Sequence, residues 1–381
     1  MNTSQLINFI RDYYKTNNFI PLHAPLFEGN ERKYILDTLD STFVSSVGRY
    51  VDKFEKQVVD YTKAKHAIAT VNGTAALHTA LYLSGVKTGD LVITQALTFV
   101  ATCNTIAYLG AEPVFVDVNR ETLGLCPKAL LNYLEEHCEI RDQVCYHKNG
   151  ARVSAAVVMH TFGHPAKVVE LKKVCDGYFI ELIEDAAESL GSLYRGKHTG
   201  TLATMSALSF NGNKVITTGG GGMILCNEDS VSHRAKHLTT TAKQPHPYEF
   251  YHDEIAFNYR MPNINAALGC AQLEQLNKYI ENKRMLASLY QSELVGSELE
   301  FIVEPEEAHS NYWLNAVLCP SKQYRDEMLS QTNQAGVMTR PVWQLMHTLP
   351  MFKNSLRGPL LNSVFLAERL VNLPSSVSIS R

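Results

Sequence analysis

The spacing of apolar positions changes along the chain and marks one element after another. Ala67 to Val71 is an apolar run of strand length, and Thr74 to Ser84 then repeats apolar residues at helical spacing as far as Gly85. Leu91 to Thr94 predicts a short strand, Val100 to Leu109 a helix closed by Gly110, and Pro113 to Val118 a further strand. Pro127 opens a helix at its first turn, where the missing N–H of proline is no loss. Val153 to Met159 predicts a strand, Ala166 to Cys175 a helix, and Phe179 to Ile183 another strand. Met205 to Phe210 and Met223 to Cys226 predict strands around a polar, glycine-rich loop. Alternation of this kind, from about residue 50 to 230, defines an α/β domain with a mostly parallel sheet covered by helices. Ligands of such sheets bind at the carboxyl ends of the strands, where Asp185 and Ser209 both fall.

The periodicity shifts after about residue 255. Ile264 to Leu294 predicts one long helix, Tyr312 to Cys319 a strand, Tyr324 to Gln334 a helix stopped by Gly336, and Ala367 to Val371 a last helix. The expectation is a large α/β domain over residues 1–250 and a smaller α+β domain over 251–381.

Composition narrows the function classes. A chain of 381 residues buries a large core, and 45% apolar with 19% charged residues is the balance of an ordinary globular protein. A formal charge of -3, with no basic stripe, argues against a nucleic-acid partner. The eight cysteines form no C-x-x-C pair, which argues against a metal site and for reduced thiols. Residues 1–18 lack the apolar core of a signal peptide, and no apolar run reaches membrane-spanning length. A cytoplasmic protein with no membrane contact is expected.

Four segments could carry chemistry. Lys214 follows Ser209-Phe210-Asn211-Gly212-Asn213, has apolar Val215-Ile216 on its other side, and stands just before Gly219-Gly220-Gly221-Gly222. A partly desolvated lysine is a usable nucleophile and proton carrier, whereas most lysines are surface groups. The loop is neither a dinucleotide nor a P-loop glycine motif. Asp185 ends an apolar run, where a carboxylate needs a cation or donors; it could face a protonated pyridine nitrogen, cap a helix or join a core ion pair. Asn72-Gly73-Thr74-Ala75 joins a strand to a helix and offers free N–H groups to a phosphate, or else is a tight turn capped by Thr74. Phe99 could stack on a flat ring or belong to the core. His160 and His164 flank Gly163 and precede Pro165, so they read as a loop and not as one helix face for a metal. A lysine for a Schiff base and an aspartate for a pyridinium nitrogen are the two groups that pyridoxal-phosphate chemistry most needs.

With these motifs the chain resembles the DegT family of pyridoxal-phosphate sugar aminotransferases, of the fold-type I architecture, from about Pro21 to Pro374. The resemblance adds Asn258-Tyr259-Arg260-Met261 and Ala266-Ala267 with Gln272-Leu273. It implies that Lys214 carries the cofactor, with Asn213 beside it, and that Asp185 partners the ring nitrogen. Phe99 would stack on the ring, while Gly73, Thr74, Ala75 and Ser209 would hold the phosphate. Asn258 would reach the phosphate of a neighbouring subunit, which implies a homodimer with shared sites. Glu188 stands where many members have Gln or His near the phenolic oxygen. The usual Gly-Glu-Gly-Gly is Gly219-Gly220-Gly221-Gly222 here. Arg340, Trp343 and His347 fall where members place residues near the sugar nucleotide, or serve as small-domain packing.

Ile20 to Pro25 and Asp40 to Gly48 look most like the subgroup of legionaminic acid and bacillosamine pathways. That implies transfer of an amino group from L-glutamate to C4 of a UDP-linked 2-acetamido-4-keto-6-deoxy hexose, for bacterial surface glycans. The rivals are a dTDP- or GDP-linked substrate, a dehydratase with His at the lysine position, and a non-catalytic regulator.

Overall fold

The computed structural model describes residues 2–378. Its helices are α1 (Thr3–Tyr14), α2 (Glu31–Asp40), α3 (Arg49–Thr62), α4 (Gly73–Leu83), α5 (Val100–Tyr108), α6 (Pro127–His137), α7 (Val168–Gly177), α8 (Asp229–Thr239), α9 (Asn263–Leu273), α10 (Leu276–Glu293), α11 (Lys322–Gln334) and α12 (Leu361–Ala367). Seven strands form the main sheet: β1 (His66–Thr70), β2 (Leu91–Gln95), β3 (Glu112–Val116), β4 (Val153–Met159), β5 (Glu181–Asp185), β6 (Met205–Ser209) and β7 (Gly222–Cys226). Their spatial order is β1-β7-β6-β5-β4-β2-β3, and only β7 runs against the others. The mostly parallel α/β sheet expected from the alternation is therefore present.

Its strands are buried on both faces, so they read as continuous apolar runs and not as alternating ones. The seven residues of β4 are all buried. Ala156 and Val158 face the core under α6 and α7, while Ala155 and Val157 face the core under α4 and α8. A second sheet joins Glu300–Phe301, Asn315–Leu318, Leu370–Leu373 and Arg340–Pro341 in that order. Leu6 and Ile10 of α1 share a core with Leu286, Tyr290, Val317, Val371 and Leu373, so the first helix lies with these C-terminal elements.

Two predicted elements need correction. The single long helix is two, α9 and α10, which break at Glu274-Gln275. Ala266, Ala267 and Cys270 pack with Phe54 and Phe210, whereas Leu286, Ala287 and Tyr290 pack with α1 and the second sheet. The last helix ends at Ala367, and Leu370–Leu373 is a strand paired with Asn315–Leu318. Leu370, Val371 and Leu373 are all fully buried, and burial all round gives no periodicity to read.

Candidate active site

The first strand delivers the chain to the N-terminus of α4. Asn72, not Thr74, is the N-cap of α4, and its Oδ1 accepts the Ala75 N–H at 2.7 Å. The Ala76 N–H goes to the Asn72 carbonyl, which leaves the N–H groups of Gly73 and Thr74 at the positive end of the helix. Ser209 closes this corner: a Cβ on Gly73 would lie 2.9 Å from Ser209 Cβ. On the other side, a Cβ on Gly222 would fall 2.3 Å from the Asn72 carbonyl group. These glycines therefore let β6, β7 and the turn before α4 approach closely enough to form a cradle.

The strand ends β5 and β6 supply the central groups. Asp185 closes β5 and is buried; Thr102 Oγ1 donates to its Oδ2 at 2.7 Å and the Ala187 N–H to its Oδ1 at 3.2 Å. Burial raises its pKa against the pull of those donors, and among the described residues it has no cation within ion-pair distance. A carboxylate placed in this way is matched to a protonated ring nitrogen.

Lys214 sits in the loop after β6, which is pinned by buried Phe210 before it and Val215 and Ile216 after it. The Phe210 N–H donates to the Gly221 carbonyl and the Thr218 N–H to the Phe210 carbonyl, closing the loop at its base. Lys214 Nζ reaches Glu188 Oε1 at 3.4 Å. The other carboxyl oxygen of Glu188 accepts the Phe162 N–H at 2.9 Å. At that long distance the amine does not offset burial, which pushes the Glu188 carboxyl up to about 7.

These groups share one cavity of about 350 Å³. Of the residues expected from sequence, Gly73, Thr74, Phe99, Asp185, Glu188, Ser209, Asn213, Lys214 and Trp343 line it. Ala75 lies behind the cradle, its N–H held by Asn72. Arg340 is exposed in its short strand, and neither it nor His347 reaches the lining. Asn258 is exposed and outside the cavity of its own chain, with Oδ1 accepting from Arg260 Nε at 3.0 Å. His160 is committed elsewhere: its Nδ1 accepts the Ala166 N–H, so its Nε2 carries the proton and donates to buried Glu184 at 3.0 Å.

Sequence reasoning missed Asn72, Thr102 and Trp313. The cap position of Asn72 was visible in principle, three residues before Ala75. Thr102 stands three residues after Phe99, on the first turn of α5, and its neighbours in sequence give no sign of its bond to Asp185. Nothing local marks Trp313, which comes from the C-terminal part of the chain and stands over the Lys214 amine at 3.9 Å.

The residues present fit pyridoxal phosphate. The cradle suits its phosphate, Asp185 its ring nitrogen, Phe99 its flat face and Lys214 its aldehyde. Fold and cavity together define an α/β enzyme of the kind that transfers amino groups. The DegT/DnrJ/EryC1/StrS aminotransferase family model matches residues 26–381, and the chain belongs to that family. It is an enzyme of the family's type, a sugar aminotransferase dependent on pyridoxal phosphate. It is similar to GDP-perosamine synthase of Vibrio cholerae, 36% identical over 361 residues, covering 93% of this chain and 94% of that one. GDP-perosamine synthase of Escherichia coli O157:H7 is 35% identical over 363 residues, with 95% and 94% covered. The solved aminotransferase TlmJ from Streptoalloteichus hindustanus shares the fold, with a TM-score of 0.86 at 24% identity over 95% of both chains. No helix among the described residues is long and apolar enough to cross a membrane.

Proposed function

We propose that this enzyme moves the amino group of L-glutamate to C4 of a 4-keto-6-deoxy sugar carried on a nucleotide. The observation that carries the reading is Lys214 and Asp185 in one cavity with the Gly73–Thr74–Ser209 cradle. The nucleotide is GDP in this reading, in place of the UDP implied by the N-terminal motifs. Its support is that relatives at 35% and 36% identity are named GDP-perosamine synthase. The legionaminic and bacillosamine subgroup remains the rival, carried by Ile20 to Pro25 and Asp40 to Gly48.

The cofactor, when bound, supplies an aldehyde that bonds amines and a ring that takes up the electron pair left at carbon. The chain's residues do the rest. The cradle anchors the phosphate, and Asp185 keeps the ring nitrogen protonated so that the ring can draw electrons. Lys214 would hold the cofactor through its amine and, when that amine is free, would move a proton at the donor's α-carbon and at sugar C4. Phe99 and Trp343, with ring centres 6.2 Å apart, form an aromatic edge of the cavity.

The working unit is a cytoplasmic homodimer in this reading. Asn258 is exposed, and the segment before it bears Tyr248, Phe250 and Ile255 at 81%, 79% and 91% exposure. Such a cluster of exposed apolar residues is what a partner subunit would cover. All eight cysteines are free, as a reducing compartment requires. The test is a panel of GDP-, UDP- and dTDP-linked 4-ketosugars, each incubated with glutamate and followed by 2-oxoglutarate release. GDP-ketosugar turnover supports the reading, and turnover of the UDP substrate alone restores the subgroup assignment.

A further inference from the structure

We propose that the Trp313 indole and the Glu188 carboxyl form a berth for the Lys214 amine whenever it is not bonded to the cofactor, and that Lys283 fixes this berth from behind. The proposal rests on Lys214 being the cofactor lysine. The amine stands 3.9 Å from the centre of the Trp313 ring and 3.4 Å from Glu188 Oε1. An ammonium over an indole face is held by the ring quadrupole, more strongly where water is excluded, and the Lys214 side chain is only 14% exposed.

Neither wall is free to turn. The Trp313 indole N–H donates to the Asn213 carbonyl at 2.7 Å, so the ring is tied to the residue next to Lys214. The Trp313 backbone N–H donates to Asn311 Oδ1 at 2.8 Å, and Asn311 Nδ2 donates to the Glu188 carbonyl at 2.9 Å. Asn311 thus links the backbones of the two residues, while the Phe162 N–H holds the Glu188 carboxyl itself at 2.9 Å.

Lys283 of α10 is fully buried and donates to the carbonyls of Trp313 at 3.1 Å and Ser375 at 2.5 Å. Among the described residues no carboxylate lies within ion-pair distance of it, and burial lowers its pKa to about 7. A buried lysine without a counter-ion is costly, and what it holds accounts for its presence: the Trp313 backbone and the C-terminal segment drawn together under the catalytic loop. The reaction frees the Lys214 amine between its two halves, on a stem with many rotamers. Two fixed walls keep that amine beside the carbons it must serve.

Reductive methylation of the cofactor-free protein with ¹³C-formaldehyde, read by ¹H–¹³C NMR, tests this directly. Lys214→Arg identifies the Lys214 resonance by its disappearance. The expected result is a Lys214 methyl signal shifted upfield of the other lysines by the Trp313 ring current. That shift is lost in Trp313→Leu, kept in part in Trp313→Phe and reduced in Lys283→Met. A wild-type Lys214 signal that coincides with exposed lysines overturns the proposal without any variant having to fold. In the loaded enzyme, Trp313→Leu is expected to slow the ketosugar half-reaction about tenfold, the equivalent of one cation–π contact, with Phe closer to wild type. Equal rates in Trp313→Leu and wild type count against the berth. Borohydride trapping of the cofactor on a different lysine would instead defeat the underlying assignment of Lys214, and the ring-current shift is read independently of it.

Discussion

Thr102 Oγ1, on the first turn of α5, donates a hydrogen bond of 2.7 Å to Asp185 Oδ2 at the end of β5. It shares its hydroxyl with Thr98 Oγ1 at 3.1 Å, so a short threonine chain orients the carboxylate proposed to face the ring nitrogen. Removing the donor with Thr102→Val leaves that carboxylate oxygen unpaired, at about 1–3 kcal/mol. Asp185 then holds its proton more firmly and serves the ring nitrogen less well. The expected outcome is cofactor affinity about tenfold weaker, measured by absorbance titration. Asp185→Asn removes the fixed charge itself and is expected to lower kcat about 10²- to 10³-fold while the protein still binds some cofactor.

Glu188 gives the site a pH signature. Burial raises its carboxyl from 4.5 to about 7. A raised carboxyl means that the folded state prefers the protonated form. This contribution to stability is fully present below pH 4.5 and is lost as pH rises through about 7. Glu188→Gln, which mimics the protonated group, should therefore gain on wild type in melting temperature between pH 5 and 7.5 when the cofactor-free proteins are compared. A constant difference across that range would show that Glu188 does not titrate there.

The glycines of the site should respond oppositely to substitution. A Cβ at Gly73 meets Ser209 Cβ at 2.9 Å, so Gly73→Ala is expected to spoil the phosphate cradle and weaken cofactor binding about tenfold or more. A Cβ at Gly220 meets nothing within 4 Å, although Gly220 lines the cavity. Gly220→Glu should fold normally and change substrate preference. Melting curves with kcat/KM on the nucleotide-sugar panel check both.

Asn258 and Lys214 provide a test of shared sites. Lys214→Ala and Asn258→Ala are each expected to be nearly inactive alone. Mixed and allowed to exchange subunits, they form hybrids with one intact site, and recovery of about a quarter of wild-type activity is expected. No recovery would place Asn258 outside the neighbouring site.

Much of this site was legible because its groups sit at strand ends. Asp185 and Ser209 each close an apolar run, and Gly73-Thr74 opens a helix directly after one, so local patterning located them. The roles of Trp313 and Lys283 depend on contacts between segments far apart in the chain, which periodicity does not record. The break between α9 and α10 was hidden because buried Leu273 and Leu276 carry one core across it, with neither proline nor glycine at Glu274-Gln275. Arg340 and His347 were placed by motif position alone, and both stand outside the cavity lining.

The central claim is that Lys214 bonds pyridoxal phosphate. Incubating the protein with the cofactor, reducing with borohydride and mapping the pyridoxyl group by peptide mass spectrometry tests it directly. The modification is expected on the peptide containing Lys214, and Lys214→Arg should bind no reducible cofactor. A pyridoxyl group on any other lysine, or an undiminished adduct in Lys214→Arg, would contradict the account.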